Sequence, residues 1–113
     1  MSYDVSLNRN GHPVTVPRFQ EGGTYAVGGS TESSLNITYN YSAVYEQYGF
    51  SLRDLAEMTA RDTLCLLTRI LSEIGTSERT DNYWDATPGN AGHALAILIG
   101  WAAANLDATW QVH

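Results

Sequence analysis

The chain has no lysine. Its six positive charges are all arginine (Arg9, Arg18, Arg53, Arg61, Arg69 and Arg79), set against twelve acidic residues for a formal net charge of −6. That balance excludes a protein that grips DNA or bulk RNA through a long phosphate-neutralising surface, which needs many cations along one face. Arginine's planar fork can still clamp a phosphate or stack on a base, so a few arginines suit a small anionic ligand even within an acidic protein. Surface salt bridges are their plainer use.

Cysteine is nearly absent as well. Cys65 is the only one, which excludes an intrachain disulfide and a cysteine zinc site. Lying between Leu64 and Leu66 on an apolar segment, it reads as a buried, unreactive thiol. The three histidines, His12, His93 and His113, show no ligand spacing, so no metal and no cofactor is expected. No Gly-x-Ser-x-Gly elbow and no Cys/His pairing marks a nucleophile. The longest uncharged run, Ala86 to Leu106, is interrupted by Asn90, His93 and Asn105, and reads as a core helix rather than a membrane span. The first residues carry neither a basic nor an apolar leader region, so a cytoplasmic protein is expected. The sequons at Asn36-Ile-Thr38 and Asn40-Tyr-Ser42 then have no chemistry behind them.

What is present fits one domain. A chain of 113 residues, 43% apolar, can bury roughly two-thirds of its unfolded surface. Tyr3, Val5 and Leu7 alternate with polar residues, Asn10-Gly11 is a hairpin signal, and Val14-Thr15-Val16 alternates again. Residues 2 to 19 are therefore expected as a hairpin whose second strand Pro13 and Pro17 confine to an edge. A third strand is expected over Leu35 to Tyr41, with Leu35, Ile37, Tyr39 and Tyr41 on one face. Between them, Glu21 to Gly29 holds two Gly-Gly pairs and reads as tight turns around a short strand. It lacks the helix and lysine of a phosphate-binding loop.

A tyrosine-rich short helix is expected over Ser42 to Tyr48. Ser51 to Asp54 resembles a capping box and opens a helix to about Ile74, with Gly75 as its C-cap and the pairs Arg53/Glu57 and Arg69/Glu73 at four-residue spacing. Its apolar set is Leu55, Met58, Thr59, Leu66, Ile70 and Ile74. A last helix is expected from Pro88 to Leu106. The tail Ala108 to Val112 alternates and can add a final strand. The fold class is α+β: a small antiparallel sheet, made of the N-terminal hairpin, strand 35–41 and the tail, packed on two long helices.

Asp81-Asn-Tyr-Trp-Asp-Ala-Thr-Pro-Gly-Asn-Ala-Gly92 concentrates the polar chemistry. Thr87-Pro88 reads as an N-cap with proline at the first helical position. Stacking surfaces (Tyr83, Trp84), carboxamides (Asn82, Asn90) and helix N–H groups together suit a planar or phosphorylated ligand such as a nucleotide. The alternative is a hydrophobic staple plus a cap. Asp81 and Asp85 admit an acid/base reading with His93, although carboxylates before a helix N-terminus are the favourable charge–dipole placement in any case. A binding protein is expected rather than an enzyme.

Gly22-Gly-Thr-Tyr-Ala-Val-Gly-Gly29, Leu35-Asn-Ile-Thr-Tyr-Asn-Tyr-Ser42, Asp81-Asn-Tyr-Trp84, Thr87-Pro-Gly-Asn-Ala91 and Asp107-Ala-Thr-Trp110 together resemble a family of small phage and prophage proteins, the first type of Thoeris anti-defence protein. The likeness covers nearly the whole chain. It implies a sponge that sequesters cyclic ADP-ribose isomers, and in some members cyclic oligonucleotides, without turnover in the cytoplasm of an infected bacterium. It also implies a homo-oligomer, a dimer or a multiple of dimers, often with the ligand between protomers. The implied ligand-binding residues are Gly22, Gly23, Thr24 and Tyr25 in one segment and Asn82, Tyr83, Trp84 and Asn90 in the other. Family members tend to carry a basic residue just before each of the first and last motifs. Here those places hold Glu21 and Leu106, which shifts the expected phosphate contact to Arg18 or Arg53. The alternatives are a nucleotide-processing enzyme using Asp81, Asp85 or His93, and a phage structural or assembly protein. For assembly, the last helix offers Ala96, Gly100, Ala103 and Ala104 beside Leu95, Ile99 and Trp101.

Overall fold

In a computed structural model of the chain, the described residues are 2–16, 24–26 (backbone), 32–82 and 84–113. The fold is α+β, as its sequence leads one to expect. A five-stranded antiparallel sheet is built around β1 (Ser2–Arg9). Along one edge β1 meets β4 (Ser34–Thr38) and then β2 (His12–Pro13); along the other it meets β5 (Thr109–Val112). The short β3 (Thr24–Ala26) adds to β4, and matches the short strand expected there. The turns expected to flank it lie outside the described residues. The β1–β2 turn is the Asn-Gly pair, with φ of 55° at Asn10 and 82° at Gly11, the left-handed values that such a hairpin requires.

Register sorts the side chains. Tyr3 opposes Ile37, Val5 opposes Leu35 and Leu7 opposes Trp110, so all six share the inward face. The opposite face is polar, where the Asn36 amide donates to Ser2 Oγ at 2.6 Å and to Asp4 Oδ1 at 2.8 Å. On the inward face lie the helices α2 (Ala60–Ile74) and α3 (Pro88–Ala104), preceded by the short α1 (Ser42–Glu46). One apolar core joins Val5, Leu7, Leu35, Ile37 and Trp110 of the sheet to Leu67, Ile70, Leu95, Leu98 and Trp101 of the helices. Two buried hydrogen bonds lock the layers. Trp110 Nε1 donates to Thr63 Oγ1 at 2.7 Å, and Tyr45 Oη donates to the Ala91 carbonyl at 2.8 Å.

Several expectations needed correcting. The strand from Leu35 stops at Thr38, whose Oγ1 accepts from the Asn40 amide N–H and starts a 3-10 turn over Tyr39–Tyr41. The second strand of the hairpin is two residues long; Val14 and Val16 are buried beyond it, and Thr15 bridges to Glu32. The helix expected from residue 52 is interrupted. Ser51 forms a complete capping box with Asp54, but it opens only a 3-10 turn, Leu52–Leu55. Glu57 then turns the chain at φ 66°, and Glu57 and Trp110 start a run of backbone bonds that lines residues 57–60 against β5. Only at Thr59, whose Oγ1 accepts from Asp62 N–H, does α2 begin. Edge pairing outweighs helix continuation here because it covers the open side of β5. Met58, expected in the core, is 40% exposed as a result. Arg53 and Glu57 do not share a helix, whereas Arg69 and Glu73 pair at 3.8 Å. The buried stripe of α2 is Ala60, Thr63, Leu67 and Ile70, which leaves Cys65 exposed rather than buried.

Candidate ligand site at the end of the sheet

The connection from α2 to α3 is organised by one side chain. Asn90, in the first turn of α3, is 2% exposed. Its Oδ1 accepts from Thr80 N–H at 3.0 Å, and its Nδ2 lies 3.1 Å from Thr80 Oγ1, 3.3 Å from the Asn82 carbonyl and 3.0 Å from the Asp85 carbonyl. A carboxamide supplies a donor pair and an acceptor in one plane, which a loop folding back on a helix can saturate. Asn90, expected as a ligand-binding carboxamide, is used here to hold the loop.

The glycines beside it serve packing too. A methyl at Gly89 would overlap the backbone of Glu78 and Arg79, and one at Gly92 would overlap the Gly75 carbonyl oxygen. They permit the close crossing of the loop and of the α2 C-terminus over the first turns of α3. The helix N-terminus is partly occupied as well: Thr87 Oγ1 caps Asn90 N–H at 3.1 Å, and Ala91 N–H donates to the Thr87 carbonyl at 3.0 Å. Asp85 is engaged inside the loop, accepting from Thr80 Oγ1 at 3.0 Å and from Asn82 Nδ2 at 3.2 Å.

Held this way, the loop presents Trp84, which is 44% exposed. Its N–H donates to Asn82 Oδ1 at 3.1 Å, and its carbonyl accepts from Asn40 Nδ2 at 2.8 Å. Asn40 follows Tyr39 in the 3-10 turn at the end of β4. The Tyr39 ring lies 4.4 Å from that of Tyr3, tilted by 52°, and the Arg53 guanidinium carbon sits 5.4 Å from the Tyr3 ring centre. That is a cation–π contact on one ring of a tilted tyrosine pair. Arg53 makes no ion pair among the described residues.

The sheet explains why these groups meet. Ile37, two residues before Tyr39, is flanked by Tyr3 on β1 and Thr24 on β3. The ends of three strands, the 3-10 turn and the Trp84 loop therefore converge. No family model, curated protein or solved structure matches this chain. The site accordingly rests on geometry. Of the expected residues, Arg53, Asn82, Trp84 and the backbone of Thr24 and Tyr25 belong to this region; Arg18, Gly22, Gly23 and Tyr83 lie outside the described residues. Sequence reasoning missed Tyr3, Tyr39 and Asn40. Alternation placed both tyrosines on one inward face, and only the pairing of β1 with β4 puts them side by side at its open end.

A second surface lies farther along α3. Thr15, Val16, Ala96, Ile97, Gly100, Trp101, Ala104 and Asn105 line an apolar groove of about 370 Å³. Nothing approaches within 4 Å of the place a methyl would take on Gly100. Leu95, expected beside this uncovered face, is a core residue instead, while Trp101 lines the groove with an edge and is otherwise buried, 5% exposed. Ten residues separate Asn90 from Gly100, about 15 Å of helix, so the groove and the Trp84 loop are distinct surfaces. Among the described residues no cluster of His, Cys, Asp or Glu could hold a metal ion, and no helix is long and apolar enough to cross a membrane.

Proposed function

We propose that the protein is a non-catalytic nucleotide sponge, as its sequence resemblance implies, holding cyclic ADP-ribose-type signals, or cyclic oligonucleotides, without turning them over. One observation carries the reading. An arginine without a carboxylate partner among the described residues rests on a pair of tyrosine rings in tilted contact, and Asn40 links that pair to an exposed tryptophan loop. Aromatic faces take a base, and a guanidinium takes a phosphate. In a protein of net charge −6, a site for an anion needs a local cation unpaired by acid, and among the described residues Arg53 meets that condition. The engagement of both Asp85 oxygens within the loop supports binding over proton transfer. The apolar groove on α3 supports the same reading in its homo-oligomeric form, as a face for another copy.

The test is a thermal-shift and calorimetric screen against cyclic ADP-ribose isomers and cyclic oligonucleotides, since a ligand that binds only the native state raises its melting temperature. Trp84→Ala and Arg53→Ala should each weaken binding about ten- to a hundredfold, the range of roughly 1–3 kcal/mol for one stacked base or charged contact. Heating should release the nucleotide intact. A chromatographic product would favour an enzyme using Asp81, Asp85 or His93. The absence of any shift would favour a phage structural or assembly protein. Light scattering that gives the mass of one chain at micromolar concentration would remove the oligomer.

A further inference from the structure

We infer that Asn40 is a positioning residue, a latch that fixes Trp84 relative to the Tyr3–Tyr39–Arg53 cluster; the inference rests on reading this surface as a ligand site. Asn90 secures the loop from behind. It grips Thr80, Asn82 and Asp85, all on the α3 side, and its amide is buried. Asn40 secures it from the front, donating from the 3-10 turn to the backbone carbonyl of Trp84 itself at 2.8 Å, with the two residues 44 apart in sequence. Asn40 is exposed and its backbone N–H is separately engaged by Thr38 Oγ1. Its side chain is therefore not needed to form the turn. What the amide does is hold the tryptophan backbone to the residue that follows Tyr39. A ligand stacking on one aromatic while its phosphate meets Arg53 requires a fixed separation between those groups, and a loop tied only to its own helix would not set it.

The test uses three variants of the full chain. Asn40→Asp keeps the shape but turns the donor into oxygens that repel the Trp84 carbonyl; Asn40→Ala removes the group; Asn40→Gln restores the donor on a longer arm. Trp101 and Trp110 are 5% and 0% exposed, so acrylamide quenching of tryptophan fluorescence in the unliganded protein reports chiefly on Trp84. Quenching should rise in Asn40→Asp and Asn40→Ala, with the melting temperature held within about 2 °C, as for an exposed substitution. Affinity for cyclic ADP-ribose as probe should fall about three- to tenfold, the worth of one net hydrogen bond, with partial recovery in Asn40→Gln. Unchanged quenching in Asn40→Asp overturns the latch whether or not any nucleotide binds. Raised quenching at unchanged affinity overturns the positioning role. If the native protein binds neither this probe nor any cyclic ADP-ribose isomer or cyclic oligonucleotide of the screen, the sponge reading fails by itself, and quenching still decides the latch.

Discussion

Two glycines on α3, eight residues apart, should respond to the same substitution with opposite signs. In both, alanine gains about 1 kcal/mol of helix propensity by restricting the unfolded chain. At Gly100 nothing lies within 4 Å of the new methyl, so the gain stands and Gly100→Ala should be stabilised by about 0.5–1 kcal/mol. At Gly92 the methyl would overlap the carbonyl oxygen of Gly75, a backbone atom that cannot rotate away. Gly75 is itself held at φ 74° as the C-cap of α2, with its N–H donating to the Leu71 carbonyl. The two helices must then separate, which costs about 3 kcal/mol, the upper end for overpacking, and leaves a net loss of about 2 kcal/mol. With 113 residues, each kcal/mol moves the melting temperature by about 4 °C. Gly92→Ala should therefore melt about 8 °C below the native protein and Gly100→Ala about 2–4 °C above it. Melts followed by far-ultraviolet circular dichroism, at the lowest workable concentration so that association through the groove does not enter, give both numbers. If Gly92→Ala melts at or above the native temperature, the close crossing of α2 over α3 is wrong.

Other parts of the structure give predictions of their own. Asn90→Asp should lower stability by at least about 2 kcal/mol at neutral pH, because a buried carboxylate faces the Asn82 and Asp85 carbonyls where the amide donated. Burial raises the pKa of such a carboxylate, so the deficit in urea melts should shrink as pH falls and protonation restores a donor. Thr63→Val keeps the shape but strips Trp110 Nε1 of its acceptor, which should cost about 1–3 kcal/mol and shift the tryptophan emission. Asp107 accepts from Arg9 Nη2 and Nε at 2.5 and 3.2 Å, and this hydrogen-bonded guanidinium holds its carboxyl below the ordinary range. A depressed folded-state pKa means the contribution is full above the unfolded value of about 4 and disappears as pH falls through the folded one. The melting difference between native protein and Asp107→Asn should thus be constant from pH 7 to about 5 and vanish under strong acid. For an exposed pair it should be small and reduced by salt.

Local chemistry made most of the fold legible. Asn10-Gly11, Thr87-Pro88 and the alternation of Tyr3, Val5 and Leu7 each specify a conformation within a few residues and form as expected, and Ser51 with Asp54 forms its capping box although it opens a 3-10 turn rather than the long helix. What the sequence hid depends on distant partners. The break before α2 arises because residues 57–60 gain more by covering β5 than by continuing a helix, and nothing within that segment shows where β5 will lie. Cys65 was misplaced for a similar reason, since Leu64 and Leu66 beside it are only half-buried and the inward stripe runs through Thr63 and Leu67. At the site, the glycines and asparagine in the first turns of α3 are legible as unusual, but their use follows only from what crosses over them. Tyr3 and Tyr39 stand 36 positions apart and become neighbours only through register.

The place of β1 has a consequence for how the chain is made. Of the strands in this sheet it comes earliest in the sequence and is the most heavily paired, and its second edge is closed by β5, about a hundred residues later. Asp4 and His113 exchange backbone hydrogen bonds in both directions, at 2.8 and 2.9 Å. Until residues 109–113 clear the ribosome, Val5 to Asn8 keep an open edge and Leu7 lacks the Trp110 ring opposite it. The nascent chain therefore carries an exposed strand edge while the roughly hundred residues between β1 and β5 are made, the condition that favours pairing with a neighbouring chain on the same message. Long sequence separation also gives this pairing the largest loop-closure cost in the described sheet. Joining the adjacent ends by a short linker and reopening the chain at the Asn10-Gly11 turn would move β5 directly ahead of β1, converting the longest-range pairing of the sheet into a local hairpin.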